Sequence, residues 1–285
     1  MTQFFLHGID NFRIQVYIAV TNPCDATQRT GIVMASPTSL VHLLRDRAQL
    51  QPDARAYTFL SGGEEAESLT FAQLDRRVLA LAARLQKLGA RGERVLLLYP
   101  SGTEYIAAFY ACLAAGAVAV PGYPPRANHN LKRLAAILDD ARPKVAMTTD
   151  VVHRQLVTRF DEAPGLAALD WLITSDISLD EAMDWVDPNA TPGTLAFLQY
   201  TSASTSAPKG VMVSHGNILH NQILAKEAVQ HGPDTVIVSW LPHFHDMGLV
   251  YGVLEPIFAG VACYFMPPVS FMQKPVRWLS LPTPL

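Results

Sequence analysis

Residues Leu198–Asn217 read LQYTSASTSAPKGVMVSHGN, and the interpretation of the whole chain turns on them. An apolar strand, Leu195–Tyr200, runs into a loop of hydroxyl-bearing and very small residues. Thr201, Ser202, Ser204, Thr205 and Ser206 offer hydroxyls beside easily approached backbone N–H groups, and Lys209 adds an ammonium at the far end. A second short apolar run, Val211–Val213, leads to Ser214 and His215. Amides, hydroxyls and an ammonium on a small-residue loop suit a polyphosphate, whose oxygens accept from all three. The same composition also describes a solvated turn between two strands, and the residues alone leave both readings open. The NTPase P-loop is excluded. It needs Gly before its Lys and a hydroxyl after it, whereas Pro208 precedes Lys209 and Gly210 follows it.

Outward from this loop, strands and helices alternate. Arg94–Tyr99 reads as a buried strand, Thr103–Ala115 as a helix and Val118–Pro121 as a strand. Leu131–Leu138 is helical, Lys144–Thr148 a strand, Val151–Arg159 a helix and Trp171–Thr174 a strand. Nearly all-apolar strands separated by helices predict an α/β fold with a parallel sheet covered on both faces. Upstream, a helix from Thr38 is closed off by Pro52, and Ala56–Leu60 turns through Ser61–Gly63 into Glu67–Leu69. Thr70 and Gln73 form a capping box for a helix that ends at Gly89. Downstream, His215–Val229 reads as a helix whose N-terminus favours a nearby anion, and Thr235–Trp240 as a strand. Ser175–Thr194 is the one loop-rich connector, read as a boundary between two sheets or subdomains. Tyr105–Pro125 is charge-free over a membrane-span length, but Gly116, Pro121, Gly122, Pro124 and Pro125 interrupt it, so a buried helix, turn and strand are expected.

Composition narrows the function. The chain has 285 residues, 49% hydrophobic and 16% charged, with a formal net charge of −3. That is room for a large core and one or two domains, and it argues against nucleic-acid binding. Cys24, Cys112 and Cys263 are widely spaced without a CxxC pair, which favours free thiols in a reducing cytoplasm over disulfides or zinc. Met1–Ala35 lacks a basic n-region and a small-residue cleavage site; an added edge strand over Arg13–Val20 is the plain expectation there.

Ser239–Gly252, SWLPHFHDMGLVYG, brings His243, His245 and Asp246 together. Three readings compete. His-x-His-Asp echoes metal-hydrolase motifs, although no further ligand cluster follows. Asp246 suits the N-cap of a helix Met247–Phe258. The segment also follows a strand end, where open α/β sheets bind ligands.

The loop resembles the phosphate loop of the adenylate-forming enzymes, [YF]-T-S-G-[ST]-T-G-x-P-K-G-V. Tyr200, Thr201, Ser202, Ser204, Thr205, Pro208, Lys209, Gly210 and Val211 match. Ala203 and Ser206 stand where the family has glycines, a change expected to strain the loop by roughly 1–2 kcal/mol and to crowd phosphates. LPHFHDMGL resembles the LP-x-x-HDMGL segment of fatty acyl-AMP ligases, matching at Leu241, Pro242, His245, Asp246, Met247, Gly248 and Leu249. Pro121–Arg126 and Pro267–Trp278 resemble two further segments of that branch, so the likeness runs from about Ser36 to Trp278.

The resemblance implies the layered parallel-sheet N-terminal domain of adenylate-forming enzymes. It implies attack of a fatty acid carboxylate on the α-phosphate of ATP, giving acyl-AMP and pyrophosphate. The acyl group then passes to the phosphopantetheine arm of an acyl-carrier protein. Coenzyme A as acceptor, as in acyl-CoA ligases or synthase loading units, and a non-catalytic lipid-binding remnant are the alternatives. Carried over by residue, Thr201, Ser202, Ser204, Thr205, Lys209 and Gly210 hold the nucleotide phosphates. His245 sits beside the reacting carboxylate, and Asp246 and Gly248 shape the mouth of the acyl tunnel; His245 and Lys209 are the catalytic candidates. Mg²⁺ is implied, but its Glu belongs to a Y-G-x-[TS]-E motif that does not occur here, and no metal ligand is assigned within the chain. The expected organisation is an extension over residues 1–35, then an incomplete AMP-binding large domain over 36–285, without the family's C-terminal catalytic-lysine domain.

Overall fold

The computed structural model describes residues 2–3, 17–20, 37–123, 131–201, 208–229, 231–232 and 235–280. Its strands, in chain order, begin with β1 (Thr2–Gln3), β2 (Tyr17–Val20), β3 (Arg55–Ser61) and β4 (Glu64–Thr70). They continue with β5 (Arg94–Leu98), β6 (Val118–Gly122), β7 (Val145–Thr148) and β8 (Asp170–Ile173). The last four are β9 (Leu195–Tyr200), β10 (Gly210–Ser214), β11 (Thr235–Ser239) and β12 (Ala262–Phe265). Helices α1 (Leu40–Leu50), α2 (Phe71–Lys87), α3 (Thr103–Ala114), α4 (Lys132–Ala141), α5 (Asp150–Val157) and α6 (His215–Val229) alternate with them. A π-helical segment, Gly248–Leu254, runs on into α7 (Glu255–Ala259), and α8 (Pro268–Gln273) and α9 (Val276–Ser280) follow.

These strands form two six-stranded sheets. One has the order β10-β9-β6-β5-β7-β8 and is parallel from β9 to β8, with β10 antiparallel at its edge. It is the parallel sheet expected from the apolar strands. The chain leaves β5 through α3 for β6 on one side and comes back to β7 on the other, so the direction of winding reverses at β5. The other sheet, β1-β2-β11-β12-β3-β4, is mixed: β11, β12 and β3 are parallel, while β2 and β4 flank them antiparallel. In it β11 and β12, late in the chain, are inserted between β2 and β3, which come early.

Local chemistry explains the elements. Thr70 accepts from the Gln73 N–H at 3.2 Å and the Gln73 side chain accepts from the Thr70 N–H at 2.9 Å, so the expected capping box is closed. The β3–β4 hairpin turns on Gly62 and Gly63, at φ +65° and +106°, conformations that L side chains resist. The charge-free stretch resolves into α3, a turn at Gly116 and β6. Every residue of α3 except Glu104 is buried, the pattern of a helix enclosed on all sides. Among the described residues no helix is long and apolar enough to cross a membrane.

The main core joins the sheets. It takes Tyr57 of β3, Cys263 and Phe265 of β12, and Val95, Leu97, Val145, Met147 and Phe197 of the parallel sheet, with α1, α2 and α3 in the same cluster. Leu96, Leu98, Val120 and Ala146 belong to a second cluster with α4 and α5. Each alternating residue of β5 thus feeds a different layer, as a strand buried on both faces requires. A third cluster holds Leu60, Val238, Met266 and Trp278, whose indole N–H donates to the Val238 carbonyl at 3.0 Å.

The connector departs from expectation. Residues 174–194 do not divide two sheets, because β8 before them and β9 after them lie in the same sheet, with β7, β5 and β6 in between. They strap across α2 instead: Arg76 meets Asp180 at 2.9 Å, Arg84 meets Glu181 at 2.5 Å and Lys87 meets Asp184 at 2.7 Å. Trp185 donates its indole N–H to the Ala114 carbonyl at 2.7 Å, and Arg45 lies 5.3 Å over its ring. Loop-like composition was the misleading signal, since ion pairs to a helix leave no periodicity of their own. The chain changes sheet at α2, between β4 and β5, and again at α6, between β10 and β11.

Candidate active site

The parallel strands β9, β6, β5 and β7 all end at one edge of their sheet, the side on which open α/β sheets take ligands. The hydroxyl-rich loop leaves this edge from β9. Tyr200 pairs with Gly210 across the antiparallel β9–β10 ladder, and the Thr201 N–H donates to the Lys209 carbonyl at 3.4 Å. The loop is therefore the tip of a hairpin, with Thr201 and Lys209 exposed at its two roots. Gly210 has a packing reason, since a Cβ there would stand 3.0 Å from the Tyr200 ring. The Tyr200 hydroxyl donates to Asp140 Oδ2 at 2.5 Å; burial, with that carboxylate, pushes its pKa up. Ser202, Ser204 and Thr205, with Ala203 and Ser206, lie outside the described residues, as do Pro124–Arg126 and Cys24.

The second wall comes from the other sheet. After β11 the chain passes through Leu241–Met247 and crosses the ends of three parallel strands. His243 accepts from the Gly102 N–H through Nδ1 at 3.2 Å, and its own N–H donates to Ser101 Oγ at 3.4 Å, both just past the end of β5. Phe244 lies 3.9 Å, centroid to centroid, from Tyr123, the residue after β6. The Phe244 carbonyl accepts from Gln199, near the end of β9, at 3.3 Å. This places His245 and Asp246 beside the strand that launches the hairpin loop. Their side chains are 54% and 63% exposed, with His245 Nδ1 2.5 Å from Asp246 Oδ1. An Nδ1–H given to that carboxylate leaves Nε2 as the ring atom a substrate can meet.

Two expectations change here. Asp246 is not the N-cap of a regular helix: it is itself the first helical residue, its Oδ1 accepts from the adjacent Met247 N–H at 2.7 Å, and the helix continues as the π-wound Gly248–Leu254 before α7. The His245 carbonyl starts the winding by accepting from the Leu249 N–H at 2.8 Å. Gly248 shows what sets the path. A Cβ there would lie 2.7 Å from the Pro242 carbonyl carbon and closer still to its oxygen, so the helix meets the preceding turn backbone to backbone. The metal reading finds no support among the described residues, where no group of three His, Cys, Asp or Glu side chains converges. His243 is instead a buried acceptor whose pKa burial holds down to about 3.

The α6 N-terminus is closed by its own cap. Ser214 Oγ accepts from the Asn217 N–H at 3.2 Å while Asn217 Oδ1 accepts from the Ser214 N–H at 3.0 Å. His215 is buried and accepts from the Leu40 N–H at 3.2 Å; burial, with His42 nearby, lowers its pKa to about 4. Sequence reasoning missed Ser101, Gly102 and Gln199. The first two were within reach, because a strand-to-helix turn beside the reversal of winding is a marked position; Gln199 carries no signal in a half-buried strand. Cys112 and Cys263 are free and buried.

Comparison with known proteins bears on this geometry. The profile of the AMP-binding enzyme family matches residues 44–281. A medium-chain-fatty-acid–[acyl-carrier-protein] ligase, JamA of Moorena producens (strain JHB), is 42% identical over 248 residues, covering 85% of this chain and 42% of that protein. A long-chain-fatty-acid–AMP ligase, FadD23 of Mycobacterium tuberculosis (strain CDC 1551 / Oshkosh), is 38% identical over 253 residues, covering 85% of this chain and 43% of that protein. Among solved structures, a fatty acyl-adenylate ligase from L. pneumophila, in complex with acyl adenylate and pyrophosphate, superposes with a TM-score of 0.79 at 38% identity; 85% of this chain and 42% of that one are covered. The chain thus spans less than half the length of each of these three relatives.

Proposed function

This chain belongs to the AMP-binding enzyme family, and we propose that it carries the phosphate-gripping and carboxylate-facing part of a fatty acid-activating ligase. The observation that supports this most is the convergence of two separate motifs. A loop from the mixed sheet lays His245 across the strand ends from which the Thr201–Lys209 hairpin springs. In this reading a carboxylate oxygen attacks the α-phosphorus of ATP and the bond to the bridging oxygen breaks, its electron pair leaving with pyrophosphate. Lys209, Thr201, Ser202, Ser204 and Thr205, with the Gly210 backbone, hold the phosphates and offset the charge that builds on the leaving group. His245 turns Nε2 toward the carboxylate and the adenylate, and Asp246, accepting from Nδ1–H, fixes the ring's tautomer and orientation. The contribution is mainly positioning. The resemblance also implies magnesium, but the described residues give it no ligand set, so no step is assigned to it.

JamA, an acyl-carrier-protein ligase by name, favours a phosphopantetheine arm as the acceptor over coenzyme A. Residues 36–285 are read as part of the large AMP-binding domain and residues 1–35 as an extension, in the cytoplasm, where buried free thiols persist. The alternative reading, in which the chain holds an acyl ligand without turnover, is distinguished from the first by the exchange measurement below.

Titration calorimetry with a non-hydrolysable acyl-sulfamoyl adenosine tests the proposal. Saturable binding that His245→Ala weakens is expected, with Lys209→Ala weakening pyrophosphate binding in a parallel titration, and absence of saturable analogue binding to the intact chain overturns it. Fatty-acid-dependent ATP–pyrophosphate exchange then separates the two readings: exchange establishes turnover, and binding without exchange assigns the chain to holding alone.

A further inference from the structure

The loop that crosses the parallel strand ends grows from the opposite sheet, so its reach must be fixed by something that belongs to both. His243 meets that description. The residue is 1% exposed, and its ring lies between Phe265 of β12, at 4.3 Å, and Tyr105 of α3, at 5.6 Å. Its Nδ1 accepts from the Gly102 N–H, one of the four donors a helix start leaves without an intrahelical partner. Its backbone N–H donates to Ser101 Oγ. One residue later Phe244 rests on Tyr123 and takes the Gln199 amide, and one residue after that comes His245.

We propose that His243 is a positioning residue, whose neutral ring locks the first turn of α3 to the Leu241–Met247 loop and so sets where His245 stands over the ends of β6 and β9. The role rests on the fatty acid-activating reading for what His245 then meets, but not for the lock itself. A histidine suits the place because it presents a flat ring to two aromatic neighbours and an acceptor in the ring plane. A phenyl ring keeps the packing and strands the Gly102 N–H; an asparagine keeps an acceptor at the Nδ1 position and gives up the packing. The lock also demands one tautomer, with the proton on Nε2. Burial keeps the ring neutral through the physiological range.

The intact chain with ¹⁵N-labelled histidine, compared with His243→Asn, His243→Phe and Ser101→Ala, tests the lock. In the wild type the ¹⁵N spectrum should show His243 as the Nε2–H tautomer, unprotonated at neutral pH. Tyr123–Phe244 ring cross-peaks should be present, persist in His243→Asn, weaken in Ser101→Ala and vanish in a folded His243→Phe. Acyl-sulfamoyl adenosine affinity should follow the same order, falling about tenfold in His243→Phe, the scale of one lost hydrogen bond. Cross-peaks unchanged in His243→Phe, or an Nδ1–H tautomer in the wild type, overturn the inference. If His243→Phe does not fold, unchanged cross-peaks in Ser101→Ala overturn it instead. A wild type that binds no analogue defeats the functional reading, while the cross-peaks still decide the lock.

Discussion

The two walls of the site are built in opposite ways. The Leu241–Gly248 wall is held by contacts inside the protein: a buried histidine, an aromatic pair, a side-chain amide and a glycine pressed against a carbonyl. The hairpin wall is held at its roots by the β9–β10 ladder, with Thr201 and Lys209 exposed there. The first wall is fixed by the protein itself, and in the proposed reading the second offers donors whose partner is the ligand. A change among the buried contacts of the first should therefore cost folding, with affinity following through His245, whereas a change at exposed Lys209 should cost affinity alone.

The largest effect expected is at Gly248. Gly248→Ala forces a methyl into the Pro242 carbonyl and should cost about 3 kcal/mol or more, at the upper end of overpacking penalties. Urea denaturation gives the figure directly, and an unchanged midpoint would mean the two backbones do not meet as described.

Acid should act on that wall through His243 and on the start of α6 through His215. His243 and His215 titrate near 3 and 4 in the folded chain against an ordinary 6.5, so between these values the unfolded chain binds the extra protons. Their contribution is whole above pH 6.5 and drains away as pH falls through about 4 and then 3, in sum on the order of several kcal/mol. Urea midpoints from pH 7 down to 4 should fall, and His243→Asn should flatten the slope. A slope that survives the substitution assigns the acid sensitivity elsewhere.

The hairpin wall should answer differently. Lys209→Ala should leave stability within about 0.5 kcal/mol, as at exposed sites generally, yet weaken pyrophosphate binding by about tenfold through the loss of a charge-assisted hydrogen bond. Calorimetry beside a melting curve separates these outcomes, and an equal loss of both would erase the distinction between the walls. The smallest change is expected from Ala203→Gly with Ser206→Gly, a few-fold gain in nucleotide affinity, because the resemblance puts glycines at both positions. A loss of affinity would show that this chain has adapted its loop to the side chains it carries.

The same contrast governs what the sequence discloses. The parallel sheet, the capping box at Thr70 and the burial of α3 follow from periodicity and local chemistry, and all are present. The loop motifs were legible as patterns of residue types. The use of His243 was not, because a histidine in an apolar run looks alike as ligand, base or core acceptor until Gly102 and Phe265 are seen beside it. The π-winding after Met247 has no periodic signature either, as it follows from the backbone contact at Gly248. The strap over α2 was misread because its order comes from Arg76, Arg84 and Lys87, some hundred residues upstream.

That strap has a practical consequence. Met183, 90% exposed near its middle, is a natural place for a protease to cut. Severed there, the polypeptide would not come apart into halves, because the downstream piece threads β11 and β12 between β2 and β3 and lays β9 beside β6. The two pieces are interleaved like the fingers of clasped hands. Nicked protein should keep one hydrodynamic size until it is denatured, and new termini opened at Met183 should be accepted by a circularly permuted chain.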